Sequence, residues 1–540
     1  MPQTKFLLHS SAMEQRGKRA QISRAKTWGL GLLSVILLVL SFPNFEFSIL
    51  VWVALVPLLI ALANQPSKRQ AFLLGWFVGA TFFFATCHWL TYSMIHYGGL
   101  PAWLSYPLIF IGAAVLGLFP GIFALLLAGS IRALGLKALM AAPFLWAALE
   151  WARLSVTGQL WNAIGYSQAF HPYLIQIARW GGVYAVGFMI VTANAAIAFA
   201  ILNQTFKAVV ISSLTIVAIV GVTSGVKLYV DLNGAITRSD SAPITVIALQ
   251  PNVPMEIDKS EQEFADLLNR HIETSAEALE QTTDDGRPRL LIWPESPMNF
   301  TYGGDPQLRE RLARFVKEHH VYLLLNSQEV SGDSFLNSAL LINPEGELVA
   351  QYDKIRLMPF GEYVPLPSWL PGADRVRGIV GEFVPGNRYQ LMIADHTRLA
   401  TFICIESAYP WIARNLTAAG AEALVNISND GYLGPTAVMR QHLANAIFRA
   451  VENDRPLLRV TNTGITAHIS NRGEVLDATP GFQTVTRIWK LYPETSGQTF
   501  YTRHGDWFVG LCGVVSLVFL ALSLKRFRES SSGEREAQLS

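Results

Sequence analysis

Cysteine is scarce in this chain: there are three among 540 residues, and Cys87 and Cys512 lie inside apolar blocks. Cys404 is therefore alone in the more polar part and has no disulfide partner there, which excludes a disulfide scaffold unless two chains pair. Charge is scarce too. Charged residues make up 15%, against roughly 25% in ordinary soluble domains. The formal net charge of +2, with no basic helix or aromatic-basic platform, argues against a nucleic-acid partner. No G-x-x-x-x-G-K-[ST] loop is present, so nucleotide-driven chemistry has no cradle. His319-His320 lacks Cys or carboxylate at ligand spacing, and no metal or other cofactor is expected. No internal repeat or low-complexity segment is evident.

What is present instead is long apolar runs. Hydrophobic residues reach 51%, concentrated in blocks that approach the ~20 residues needed to cross a hydrocarbon core. Eight spans are expected: Trp28–Leu40, Ile49–Ala63, Phe72–Ile95, Trp103–Ile131, Leu139–Arg153, Ile175–Leu202, Val209–Leu228 and a late one, Trp507–Leu524. The first, second and fifth are short enough to be shallow or re-entrant. The basic tail before Trp28 with its apolar block resembles a signal peptide, but no small-residue cleavage site follows, so it reads as an uncleaved first span. Lys68, Arg69, Arg132, Lys137, Lys207 and Lys525 fall in alternate loops. By the positive-inside rule both termini are then cytoplasmic and the region between spans seven and eight is periplasmic. This gives an organisation of 1–26 tail, 27–228 membrane domain, 229–506 extracytoplasmic catalytic domain, 507–524 final span and 525–540 cytoplasmic tail, with Glu529–Ser540 polar enough to be disordered. Glu150 and Arg153, followed by Trp161, Asn162 and Tyr166, read equally as a functional intramembrane pair or as interfacial anchors.

From about Ala242 to Arg503 the composition is that of a soluble domain. Short apolar strands are expected at Ile244–Leu249, Leu290–Trp293, Tyr322–Asn326, Ala339–Ile342, Leu348–Tyr352, Ala400–Cys404, Ala423–Ile427 and Leu457–Thr461, with Asn343–Gly346 a hairpin turn. Helices are expected at Lys259–Glu280, Pro306–His319 and Thr436–Asn453. Strands alternating with helices imply a layered α/β domain.

Three strand ends carry reactive groups: Glu295 in Trp293-Pro294-Glu295-Ser296, Lys354 in Tyr352-Asp353-Lys354, and Cys404 in Ile403-Cys404-Ile405-Glu406. Singly, each has a plainer explanation as helix-cap neighbour, solvated charge or buried small hydrophobe. Together they are a base, a cation and a nucleophile. A thiol of pKa ~8.5 is mostly protonated at neutral pH and needs a base. A carboxylate shielded by Trp293 and Pro294 is expected to have a raised pKa suited to that task. A lysine beside it favours the thiolate and donates to a tetrahedral oxyanion. Such a trio performs acyl transfer through a thioester. Gly165–Ala169 only half-matches a serine-hydrolase elbow and follows a span rather than a strand. Asn429-Asp430 after a strand reads either as part of the pocket or as a turn.

The trio and its surroundings resemble the nitrilase (carbon–nitrogen hydrolase) superfamily, and specifically its membrane-embedded branch, the apolipoprotein N-acyltransferases. The matching blocks are Gln250–Pro254, Trp293–Ser296, Tyr352–Lys354, Met358–Pro365, Asn429–Gly431 and Arg455–Gly464, with Glu150-Trp151, Trp161-Asn162 and Gly165–Gln168 in the membrane half. The resemblance implies a nitrilase-like αββα sandwich joined to a polytopic helical membrane domain. It further implies Glu295 as general base, Lys354 as charge and oxyanion stabiliser, Cys404 as nucleophile, Glu362 as a second essential carboxylate and Glu406 as the acidic neighbour of the thiol. Ile405, Tyr432 and Lys259 depart from the family's usual Tyr, Trp and Trp.

The expected reaction moves a fatty acyl group from a membrane glycerophospholipid to Cys404, and then to the α-amino group of an S-diacylglyceryl-cysteine lipoprotein, in the inner membrane of a bacterium. Ester to thioester to amide runs downhill overall. Leu366–Pro371, apolar and aromatic, reads either as a lid dipping into the bilayer or as a loop packed on the domain. A membrane-tethered amidase that releases the acyl group to water, and a silent lipoprotein-binding or transport protein, are the competing readings.

Overall fold

The structure, a computed structural model, describes residues 23–64, 66–236, 242–255, 259–282, 286–359, 361–364, 383–495 and 497–539. The loop at residues 366–371 lies outside the described residues.

Among the described residues, five helical segments are long and apolar enough to cross a membrane: Lys68–His96, Ala102–Thr157, Ala178–Asn203, Phe206–Leu232 and Trp507–Glu529. The count of eight is not reproduced, for three local reasons. The first block forms a helix of 17 residues, Arg24–Leu40, capped by Ser23. The second breaks into Ser48–Leu50, Val51–Ala54 and Val56–Ala63. Asn194 accepts the Leu55 and Val56 N–H groups at 2.8 and 3.2 Å, satisfying at the break two donors that would otherwise be orphaned in apolar surroundings. The fourth and fifth blocks run together through a tight 3₁₀ turn, Gly135–Ala141. Small residues bring helices close: a Cβ on Gly75 would stand 2.3 Å from the Pro120 carbonyl of the facing helix. The last helix continues to Leu539 instead of giving way to a disordered tail. An established helix extends one residue at a time without a new nucleation step.

Among the described residues the soluble part has twelve strands: β1 Ile244–Gln250, β2 Arg289–Ile292, β3 Tyr322–Ser331, β4 Ser334–Ile342, β5 Leu348–Asp353, β6 Met392–Ala394, β7 Thr397–Ile403, β8 Ala423–Ser428, β9 Leu457–Thr461, β10 Ala467–Ile469, β11 Val475–Ala478 and β12 Val485–Leu491. They form two six-stranded sheets, ordered β12-β1-β2-β3-β4-β5 and β11-β10-β9-β8-β7-β6. Both sheets have the same pattern of pairing. β1-β2-β3 and β7-β8-β9 are parallel, and every flanking pair is antiparallel. The topology thus repeats although the sequence shows no repeat.

Side-chain alternation along the strands builds the layers. Val246, Ala248, Leu290, Ile292, Leu324, Ala339, Leu341 and Tyr352 of the first sheet join one core. Their neighbours Ile247, Leu249, Leu291, Leu323, Leu325, Leu340 and Ile342 join another, beneath the helices Glu261–Glu280 and Pro306–His319. Helices Pro410–Ala418 and Val438–Asn453 cover the second sheet. The helix Val438–Asn453 is buried almost all round, because the membrane helices pack on its far side. Gln441 accepts the indole N–H of Trp89 (3.1 Å) and of Trp161 (2.7 Å), and donates to the carbonyls of Thr86 (2.9 Å) and Pro43 (3.2 Å). Glu452, paired with Arg449 at 2.7 Å with both side chains fully buried, also accepts the Val183 N–H.

Candidate active site

β7 ends at Ile403, and Cys404 opens the 3₁₀ turn Cys404–Ala408 with φ +52°. Cys404 is therefore one residue past the strand, in the left-handed region that non-glycine residues seldom occupy. Glu406, completely buried, holds this corner. Its carboxylate accepts the N–H of Ile403 (2.7 Å), Ile355 (2.7 Å) and Arg356 (3.1 Å), and the Tyr352 hydroxyl at 3.0 Å to each oxygen. It therefore ties the end of β7, which bears the thiol, to the end of β5, which bears Lys354. Burial pushes the Glu406 carboxyl up to about 7 against the pull of these bonds. Ile405, by contrast, faces the apolar core, so its departure from the family pattern is a matter of packing.

Lys354 is 1% exposed and sits between two carboxylates, 3.3 Å from Glu295 and 2.9 Å from Glu362. Asn337, on the same face of β4 as Ala339 and Leu341, donates to Glu295 (2.9 Å) and Glu362 (2.6 Å) and so bridges them. Glu362 also accepts the Met358 N–H (2.7 Å), and Glu295 that of Asn429 (3.1 Å). Burial alone would lower the Lys354 pKa, but Glu295 and Glu362 hold it well above the ordinary range. The ammonium thus stays charged. It has three protons, of which two go to the carboxylates, and the third can serve an oxyanion.

Cys404 shares the electrostatic field of Glu295, Lys354 and Glu362. Its thiol is pushed up to about 12, by burial first and then by the Glu295 charge, with Lys354 opposing. The lysine pulls towards thiolate, and burial together with the Glu295 charge outweighs it. The resting thiol is protonated, so a base is obligatory. Trp293 does not shield Glu295 as expected. It packs into the outer core against His271 and Phe300 and donates to Ser275 (3.0 Å).

The Asn429-Asp430 pair is both turn and pocket. Asn429 Oδ1 accepts the Gly431 N–H (3.1 Å), while Asp430 pairs with Arg459 (2.8 Å) and lies 2.9 Å from His442 Nδ1. Tyr432, 45% exposed, follows on the same turn. Burial and then the charges of Glu295 and Glu362 raise its hydroxyl to about 12. Its ring meets Tyr97 of the membrane half at 5.8 Å. Lys259 lies just before Ser260, the cap of the helix Glu261–Glu280. Glu150 and Arg153 turn out to be buried in protein. Glu150 accepts the Ile164 N–H (2.8 Å), and Arg153 donates to the Trp161 carbonyl (3.0 Å). Both brace the loop that puts Trp161 on Gln441, so Trp161 is no interfacial anchor.

Sequence reasoning missed Asn337, Gln441, His442 and Arg459. Asn337 left a trace, a polar residue on the otherwise apolar inner face of β4. Among the described residues no group of three His, Cys, Asp or Glu side chains could hold a metal ion.

Two family models match: "Apolipoprotein N-acyltransferase N-terminal domain" over residues 34–196 and "Carbon-nitrogen hydrolase" over residues 247–499. An apolipoprotein N-acyltransferase of Geobacter metallireducens is 34% identical over 515 residues, covering 92% of this chain and 95% of that protein. One of Haemophilus influenzae is 29% identical, covering 89% and 91%. Among solved structures, Nit3 of Saccharomyces cerevisiae, a nitrilase-superfamily member, aligns at 16% identity over 47% of this chain and 92% of its own, with TM-score 0.37. An amidase of Nesterenkonia sp. AN1 with a covalently modified active-site cysteine aligns at 17% identity over 51% and 98%, with TM-score 0.36.

Proposed function

The chain belongs to the apolipoprotein N-acyltransferase family, and on that premise we propose that Cys404, Glu295 and Lys354 carry its acyl transfer, with Glu362 and Glu406 in support. The enzyme N-acylates lipoproteins through a cysteine thioester. The acyl donor in this proposal is a membrane glycerophospholipid, and the acceptor the α-amino group of an S-diacylglyceryl-cysteine N-terminus. The observation that carries the reading is the placement of Lys354 between Glu295 and Glu362, electrostatically coupled to the half-buried Cys404 thiol.

In the first half-reaction Glu295 takes the Cys404 proton as Sγ attacks the ester carbonyl, and the Lys354 ammonium stabilises the oxyanion. The tetrahedral species collapses to the thioester, and Glu295 returns the proton to the departing lysophospholipid oxygen. In the second, Glu295 deprotonates the α-amine as it attacks the thioester carbonyl. Collapse forms the amide and expels the thiolate, which is reprotonated. Glu362 and Asn337 keep Lys354 and Glu295 in register and touch no reacting atom.

In this proposal the domain faces the periplasm from the inner membrane and both termini are cytoplasmic, a reading supported by the basic residues Lys68, Arg69, Arg132, Lys137, Lys207 and Lys525. The match of residues 34–196 to the family's own membrane domain supports lipid substrates over a tethered amidase. Trapping an acyl-thioester on Cys404 by mass spectrometry, with phospholipid alone, tests the assignment. Wild type is expected to gain one fatty acyl and release lysophospholipid. Thioester formation and transfer persisting in Cys404→Ala would sink it, and free fatty acid as the main product in the presence of diacylated peptide would favour the amidase.

A further inference from the structure

Cys404 sits at φ +52°, a conformation that is strained for a non-glycine residue and persists only where the surroundings over-determine it. The β7–β8 pairing ends at Ile403, so the sheet itself does not hold the Cys404 peptide. Its carbonyl oxygen is instead gripped by side chains. His442 Nε2 lies 2.9 Å away and Asn426 Nδ2 3.3 Å away. A carbonyl can only accept, so Nε2 of His442 carries the proton and donates.

We propose that His442 is a positioning residue for the nucleophile: its Nε2–H pins the Cys404 carbonyl and so fixes the left-handed turn that aims Sγ at the trio. The ring is held from behind. Nδ1 lies 2.9 Å from Asp430 Oδ1 and 3.0 Å from Arg459 Nη2, and Arg459 also donates to Asp430 and to Asn426, the second residue on the same carbonyl. The indole of Trp161, from the membrane half, flanks the ring at 5.5 Å. Two turns further along the same helix Arg449 donates to the Ser407 carbonyl at 3.0 Å. The turn that begins with the nucleophile is thus suspended by carbonyls from one helix, and His442 holds the end that matters for chemistry.

The inference rests on Cys404 being the acylated residue, and the experiment separates the two. Acyl-thioester formation is followed on the full-length protein in phospholipid–detergent micelles for wild type, His442→Gln and His442→Asn. Glutamine carries its amide N–H about where Nε2 stands, whereas asparagine is one methylene too short to reach the carbonyl. Asparagine is expected to lower the rate at saturating phospholipid by about 10²-fold, the effect of a misplacement near 1 Å, with KM within twofold. Glutamine is expected to recover most of that loss. Should the asparagine variant fail to accumulate, His442→Phe, which keeps ring volume without donors, is expected to show the same deficit against glutamine. Equal rates for asparagine and wild type, equal losses for asparagine and glutamine, or a change confined to KM would each overturn the positioning role. Absence of any thioester on wild-type Cys404 would overturn the reading of the trio, and this inference with it.

Discussion

Past the ends of β2 and β5 charged side chains meet one another: Lys354 touches Glu295 and Glu362, and Asn337 of β4 bridges both. At the end of β7 side chains meet backbone. Glu406 collects N–H groups from Ile403, Ile355 and Arg356, while His442 and Arg449 hold the Cys404 and Ser407 carbonyls. The two sheets share a topology but contribute differently, the first supplying charge and the second geometry. Losing a charge should therefore change reactivity with the fold intact, and losing a backbone contact should change both.

Lys354→Met strikes the charge side hardest. It leaves Glu295 and Glu362 facing one another across Asn337 and removes the oxyanion donor, so thioester formation is expected to fall about 10³-fold while thermal unfolding stays cooperative. A loss below tenfold would break the assignment of charge to the first sheet. Glu406→Ala strikes the geometric side. Three N–H groups and the Tyr352 hydroxyl lose their acceptor, and stability is expected to fall by about 3 kcal/mol, read as a lower unfolding temperature together with about 10²-fold slower acylation. A slower enzyme of unchanged stability would move Glu406 to the charge side. Asn337→Ala should cost about tenfold in kcat at unchanged KM, since it registers two groups already paired through Lys354. The smallest effect is on titration. A neighbouring negative charge disfavours thiolate and the Glu295 charge helps to push the Cys404 thiol up, so Glu295→Gln, expected to be inactive, should lower the midpoint of iodoacetamide modification of Cys404 relative to wild type. An unchanged or higher midpoint would mean that Glu295 and the thiol are not coupled.

The trio was legible because Lys354 and Cys404 directly follow strands and Glu295 lies three residues past one, where a reactive side chain stands out against its surroundings. Glu362 and Glu406 came from the family motif and not from spacing. What composition could not reveal was long-range pairing. The break at residues 48–63 depends on Asn194, some 140 positions later, and an apolar block reads the same whether whole or broken. β6 and β10 to β12 escaped notice because three are short and the fourth, Val485–Leu491, alternates charge with apolar residues on an edge. His442 looked like one more polar residue on a helix expected to be amphipathic. Its importance comes from that helix being covered on both sides, which no local pattern encodes.

That covered helix also makes the chain hard to divide. Its Gln441 side chain satisfies two indoles and two carbonyls of the membrane half, and Glu452 caps a backbone N–H there. Excising residues 242–499 as a soluble enzyme would strip those partners and open an apolar flank within reach of the thiol. The fragment should therefore aggregate, or fold with a slack nucleophile. In this molecule the helices of the membrane half are part of the scaffold for a cysteine that belongs to the other half of the chain.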